Sequence, residues 1–373
     1  MPTCVVAGRG SRRVLLEWIG RLRGTRPLIV SDAGLLQSSP LVAEVLASLS
    51  GAEIAACATV GIAPDPTVKE AERVGAAARE AHADVVVAIG GGSALDAAKC
   101  GAMLATNDGA PLSYVGRNLF SNTPLPMIAL PTTCGTGSEV SWVSVLRDES
   151  AQRKVSIKGD GMFPRLAILD PDFLTALPAR QVAWTGMDAL THAIEAYLAV
   201  GATKFSDAFA VSAAAELFEV LPAARSGHRE SLERAQLAAT QAGFAFGNSD
   251  VGAVHCLSET LGGLYQVPHG LANAALLVPV LRFYGESATS RLASLARRVR
   301  PDLQFLNDRE AAEGLLIAIE QLARALEIPP FSALRIPSEN HGAVAEIAVT
   351  NNSNGSCPRQ MRAADYLVIL RSA

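Results

Sequence analysis

The run DVVVAIGGGS, residues 84–93, restricts what this 373-residue chain can fold into more than any other stretch. Val85 to Ile89 are all apolar, so the segment reads as a strand buried on both faces. A strand of that kind belongs to a parallel sheet covered by helices on either side. Three glycines end it, and the helical composition of ALDAAKCGAMLA follows at once. Gly90, Gly91 and Gly92 let the backbone approach a ligand closely and permit positive φ. Ser93 is placed to cap the helix. Free N–H groups at a helix start, reinforced by the helix dipole, favour a phosphate. The turn therefore reads as a pyrophosphate cradle. The bland alternative is a tight strand–helix turn with no ligand.

The neighbouring segments repeat the pattern. Strands are expected at 3–8, 27–32, 53–58 and 127–131, and helices at 11–23, 40–49 and 66–82. A hairpin is expected over 142–158, and LAILDPDFLTALP (166–178) closes the α/β part. Beyond Pro178 the spacing is helical: 179–199, 205–221, 229–246, 251–262, 269–284, 308–327 and 361–371. Two domains are expected, 1–178 and 179–373. The first is an α/β dinucleotide-binding domain with a Rossmann-like parallel sheet, and the second is all-α. Gly8-Arg9-Gly10 follows the first strand, but Arg13 stands where a dinucleotide fingerprint needs its third glycine. Asp32 ends the second strand, where an acid can hold ribose hydroxyls and repel a 2′-phosphate, which favours NAD over NADP. PTTCGTGSE (131–139) carries four hydroxyls, Thr132 and Thr133 among them, in a loop able to wrap a nucleotide.

Composition excludes several classes. A net charge of −4 with no basic run gives no reason to expect nucleic acid or an anionic membrane as partner. Apolar runs break well before the length of a membrane span, and the N-terminus lacks a signal-peptide pattern. Six cysteines without CxxC spacing point to free thiols in a reducing compartment, hence the cytoplasm.

WTGMDALTHAIEA (184–196) sets Asp188 and His192 four residues apart in a helical segment, one turn apart on a shared face. Alone, such a pair is commonly an ordinary surface contact. His255 and His269 also lie in apolar surroundings, where an imidazole without a partner is costly to bury. Each could be a hydrogen-bonded core residue. One Asp and three imidazoles also suit Fe²⁺ or Zn²⁺. Spacing alone does not bring the four together.

Four motifs, GGGSALDAAK (90–99), PTTCGTGSE, GMDALTHAIEAY (186–197) and VHCLSETLGGLYQVPHG (254–270), resemble the iron-containing (group III) alcohol dehydrogenase family, as do their order and the fourteen-residue gap between His255 and His269. The resemblance spans nearly the whole chain. It implies the dehydroquinate synthase-like fold, with a helical metal-binding domain and an active-site cleft between the two domains. It implies a divalent ion, Fe²⁺ or Zn²⁺, held by Asp188, His192, His255 and His269, and NAD across the glycine turn near Asp96, Thr132 and Thr133. Asp32 resembles the family position that separates NAD from NADP users, and Lys154 a lysine near the cofactor. The implied reaction is reversible hydride transfer between a small primary alcohol or aldehyde and nicotinamide, with the metal as Lewis acid. The implied assembly is a homodimer formed through the edge strand near residues 2–7. His269 and Glu259 are taken as catalytic; at Glu259 many relatives carry a second histidine. A carboxylate there bears on proton delivery or substrate choice. Glu195 is read as a helix-face partner rather than as support for a metal ligand. Lys158, Arg165 and Arg359 could rim the site for an anionic aldehyde such as phosphonoacetaldehyde or a semialdehyde. Alternatives on the same fold are a maleylacetate reductase, a glycerol dehydrogenase and a dehydroquinate-synthase-like cyclase. The non-enzymatic alternative is an inactive metal- or nucleotide-binding protein.

Overall fold

The computed structural model describes every residue except Met1, Glu53 and Ala55. The chain divides into two compact units, residues 1–177 and 178–373.

The first unit alternates strands and helices: β1 (Cys4–Ala7), α1 (Leu15–Arg21), β2 (Pro27–Asp32), α2 (Ala33–Ser38), α3 (Pro40–Gly51), β3 (Ala58–Ile62), α4 (Val68–Glu80), β4 (Val85–Gly90), α5 (Gly92–Leu104), β5 (Gly116–Arg117), β6 (Met127–Pro131), β7 (Val143–Asp148), β8 (Arg153–Lys158) and β9 (Leu166–Leu169). Six strands form one parallel sheet in the order β1-β9-β6-β4-β2-β3. β4 is near its middle, and Val85 to Ile89 are fully buried, as the apolar run requires. Register pairs Ser31 with Ile89 and Gly90 with Pro131, so the carboxyl ends of β2, β4 and β6 lie side by side. Ligands of open α/β sheets collect at such strand ends. The expected hairpin is β7–β8, antiparallel, with β5 alongside.

Two expectations shift. The strand expected at 53–58 is instead β3, Ala58–Ile62, and Glu53 and Ala55 lie outside the described residues. The helix expected from residue 66 begins at Val68, because Thr67 and Glu70 form a reciprocal capping box. LAILDPDFLTALP contributes β9, which inserts between β1 and β6, before a short 3₁₀ segment.

The second unit is helical: α6 (Ala179–Leu198), α7 (Lys204–Arg225), α8 (Arg229–Phe246), α9 (Ala253–Tyr265), α10 (His269–Tyr284), α11 (Glu286–Val299), α12 (Asp308–Ala325), α13 (His341–Ala348) and α14 (Ala363–Ser372). Two of these, α11 and α13, were not among the expected helices. The signal for α11 was present in Leu292, Leu295, Ala296 and Val299, all buried on one face of a segment rich in charge. α6 is the centre of the unit, with Gly186 to Leu198 buried without interruption. Among the described residues no helix is long and apolar enough to cross a membrane.

Candidate active site

α6 carries Asp188 and His192 one turn apart, α9 supplies His255, and α10 begins on His269. From Asp188 Oδ1 to the Nε2 atoms of His192, His255 and His269 the distances are 3.9, 4.0 and 3.6 Å. One ligand atom from each of the four lies within 4.8 Å of the others. His192 packs on His255 with ring centroids 4.6 Å apart, and on Phe246 at 4.6 Å. Gly270 lets the start of α10 approach α6, since any side chain there would collide with the Trp184 carbonyl. Asp188, His192 and His255 are buried, while 30% of the His269 side chain is exposed. The donor set therefore meets its surroundings at His269.

Two residues not singled out as ligands organise this set. The Asn273 amide nitrogen lies 2.6 Å from Asp188 Oδ1 and 3.1 Å from Nε2 of both His255 and His269. Its Oδ1 is buried and has no hydrogen-bond partner. A partly positive N–H₂ group at the point where a carboxylate and two imidazoles converge marks a site that suits a cation. Glu195 is the second. Its carboxylate accepts from the Val254 N–H at 2.8 Å and stands 2.5 Å from His255 Nδ1. A carboxylate can only accept, so Nδ1 carries the hydrogen and Nε2 keeps its lone pair toward the donor set. Glu195 is thus the buried partner of His255, a candidate metal ligand, and not a helix-face contact. Seven residues beyond Asp188 and three beyond His192, it lies on the same buried face of α6 and reaches α9 from there. A charge inside an otherwise apolar helix was the available signal, because such groups are almost never buried unpaired.

The electrostatics agree. Burial pushes the Asp188 carboxyl up, but the three imidazoles and the Asn273 amide outweigh it and hold it below its ordinary value. Burial pushes His255 down, yet Glu195, with Asp188 and Glu259, raises it overall. Both directions describe a pocket that favours added positive charge. Glu195→Gln keeps the shape but removes the charge behind His255. It is expected to weaken metal binding about 10- to 100-fold in a chelator competition titration, with an unchanged far-UV circular dichroism spectrum.

In the first unit the ends of β2, β4 and β6 bring together Asp32, Gly90, Gly91, Gly92, Ser93, Thr132 and Thr133. The glycines serve differently from the expectation: none has positive φ. They are needed for close packing. A Cβ at Gly90 would fall 2.7 Å from Asp32 Oδ2, and one at Gly92 would fall 2.7 Å from Thr136 Cγ2. Gly91, extended at φ −75°, is the residue before the helix, so Ser93 lies within α5 and does not cap it. Ser93 Oγ instead accepts from the Asp65 N–H at 3.1 Å. Asp32 accepts from the Gly91 N–H at 2.9 Å; burial raises its pKa and that bond opposes the rise. The Thr132 N–H donates to the Gly90 carbonyl at 3.0 Å.

Asp96 and Lys154 are engaged within the unit. Asp96 accepts from Ser138 Oγ at 2.5 Å and the Val145 N–H at 3.0 Å, and faces Lys99 Nζ at 3.4 Å. Lys99, fully buried, donates to the Ser138 carbonyl at 3.0 Å, to Ser141 Oγ at 3.1 Å and to the Val143 carbonyl. It straps the hydroxyl-rich loop to α5. Lys154 pairs with Asp65 at 2.9 Å, beside Arg147 at 3.0 Å. In the helical unit Glu259, half-buried on α9, accepts from Asn351 Nδ2 at 2.7 Å. Asn351 lies in the polar stretch 350–360, which is thus joined to the helix that carries His255.

Two family profiles match the chain. One, described as "Iron-containing alcohol dehydrogenase", matches residues 2–171, and the other, "Fe-containing alcohol dehydrogenase family, C-terminal", matches residues 182–373. The NAD-dependent methanol dehydrogenase of Bacillus methanolicus is 32% identical over 376 residues, covering 100% of this chain and 98% of that protein. The lactaldehyde reductase of Escherichia coli K12 is 30% identical over 369 residues, covering 98% and 96%. A crystal structure of a 1,3-propanediol oxidoreductase aligns with a TM-score of 0.95 at 32% identity, covering 100% of this chain and 98% of that one.

Proposed function

We propose that this chain, which belongs to the iron-containing alcohol dehydrogenase family and is an NAD-dependent oxidoreductase acting on CH–OH groups, interconverts a small primary alcohol and its aldehyde. The observation that carries the proposal is the convergence of Asp188, His192, His255 and His269 around the Asn273 amide. In this reading those four side chains hold one Fe²⁺ or Zn²⁺ ion. When bound, such an ion supplies Lewis acidity toward an alcohol or carbonyl oxygen. The protein's part is to hold and orient. Asp188 contributes the one formal negative charge of the donor set. Glu195 keeps His255 in the tautomer with a free Nε2. His269, the most exposed donor, meets the substrate side. Glu259 takes or relays the proton at Oε1, the carboxylate oxygen that Asn351 leaves unengaged. NAD binds at the glycine turn, with Asp32 on the ribose hydroxyls and the 132–133 hydroxyls beside it. Lys154 and Asp96 serve the cofactor through the loops they fasten. Six free cysteines accord with a cytoplasmic enzyme, and β1, an edge of the sheet, is our candidate pairing strand for a homodimer.

The test is a screen of small aldehydes with NADH and NADPH, using protein reconstituted with Fe²⁺ or Zn²⁺. At least one aldehyde is expected to consume NADH, with loss of the activity on chelation. No net NADH change across the panel would return the cyclase and inactive-protein alternatives. Asp32→Ser is expected to raise the kcat/KM ratio of NADPH to NADH by at least about tenfold, since one half-buried charge no longer faces the 2′-phosphate. An unmoved ratio would remove Asp32 from cofactor discrimination.

A further inference from the structure

Glu259 follows His255 by four residues on α9, so the two share a helix face about one turn apart. Ser258, next to it, has its Oγ 3.4 Å from Nδ1 of His269, the donor through which the set meets its surroundings. Glu259, half-buried one turn beyond His255, flanks the same site on that helix face. Its hydrogen-bond partner is a neutral amide, Asn351, at 2.7 Å. Among the described residues no Lys or Arg reaches it within ion-pair distance, so its charge is fixed in place without being cancelled.

Asn351 is itself oriented. Its Oδ1 accepts from the Ser353 N–H at 2.9 Å, which aims Nδ2 at Glu259. Ser353 and Ser356 donate to the two carboxylate oxygens of Asp250, at 3.0 and 2.7 Å, and Tyr366 donates to Asn354 at 2.6 Å. The loop is thereby tied down at several points, and the carboxylate is preorganised. The cation expected to favour an anionic substrate in this unit is occupied elsewhere. Arg359 lies over the Phe283 ring at 5.0 Å and faces Asp365 at 3.9 Å.

We propose that Glu259, clamped by Asn351, sets the charge preference of the site: it disfavours alcohols and aldehydes with an anionic tail and favours those with a neutral or ammonium-bearing tail. The inference rests on the alcohol dehydrogenase reading above and names its substrate class. A four-bond spacer between the reacting carbon and the ammonium group spans about the 5.4 Å of one helical turn, the scale that separates His255 from Glu259.

Three alcohols of similar length test it with metal-loaded protein and NAD⁺: 4-amino-1-butanol, 1-pentanol and 4-hydroxybutyrate. The expected kcat/KM order is ammonium, neutral, anionic, with about a hundredfold or more between the extremes. Glu259→Gln, which keeps a partner for Asn351, should compress that spread to within about threefold, and Glu259→Lys should reverse its order. Binding of the same alcohols, followed by the visible absorption of Co²⁺-loaded protein, should show the same order and compression without any turnover. A flat or reversed series in the parent protein, or a spread unchanged in Glu259→Gln, overturns the proposal even if alcohols are oxidised. If no alcohol yields NADH, the enzymatic reading fails, and the Co²⁺ titration still decides the charge preference.

Discussion

Asp188→Ala protein, incubated with Fe²⁺ or Zn²⁺ and passed through gel filtration, is expected to retain under about a tenth of a metal equivalent, where the parent retains about one. Asp188 Oδ1 is within 4.0 Å of all three imidazole Nε2 atoms and is the only formal charge among the donors. Its loss leaves three neutral ligands and removes the acceptor of the Asn273 amide. Alcohol oxidation should fall at least about a thousandfold, since a lost Lewis acid removes several kcal/mol of charge stabilisation. Asp188→Asn separates charge from packing. It keeps the side-chain shape and a carbonyl for Asn273, so a folded but metal-free protein is expected. A full metal equivalent in either variant would contradict the assignment.

Lys99→Met is expected to destabilise the α/β unit by about 3 kcal/mol, read as a lower urea midpoint and a melting temperature lower by roughly 6–12 °C. Two effects compete. Burial alone lowers the Lys99 pKa, and Asp96 only partly offsets this, so the buried ammonium is costly near neutral pH. That cost falls as pH rises through the depressed pKa toward the ordinary lysine range. Methionine removes it. It also leaves the Ser138 and Val143 carbonyls and the Asp96 carboxylate without their cation. Each stranded buried acceptor costs about 1–3 kcal/mol, so the loss outweighs the relief. Because the strap holds the loop beside Gly90–Gly92, the KM for NAD should rise about tenfold while metal content stays at one equivalent. A variant as stable as the parent, with an unchanged KM, would reduce Lys99 to a packing residue.

How much of this was legible in the sequence depends on range. β4 and its glycine turn were legible because five apolar residues and three glycines act on their own backbone. The Asp188–His192 pair was legible for the same reason: helix geometry carries i to i+4 whatever surrounds it. Other features were not. The roles of Gly90, Gly91 and Gly92 depend on Asp32, Thr133 and Thr136, which only the register of β2, β4 and β6 brings alongside. Ser93 is not the cap: the helix starts at Gly92, two residues before Ala94, and the Ser93 hydroxyl goes to Asp65 in another loop.

The metal centre divides along the same line. The sequence by itself determined that the chain has one Asp and three imidazoles in apolar helical surroundings, and its motifs tied them to a known family. That their donor atoms come within 4.8 Å, that Glu195 on α6 supports His255 on α9, and that Asn273 sits among them were decided only by the packing of α6, α9 and α10. The physical reason is that periodicity is written by φ, ψ and neighbouring side chains over a few residues. Convergence over 60 to 85 residues is written by the fit of buried surfaces, such as Gly270 against the Trp184 carbonyl.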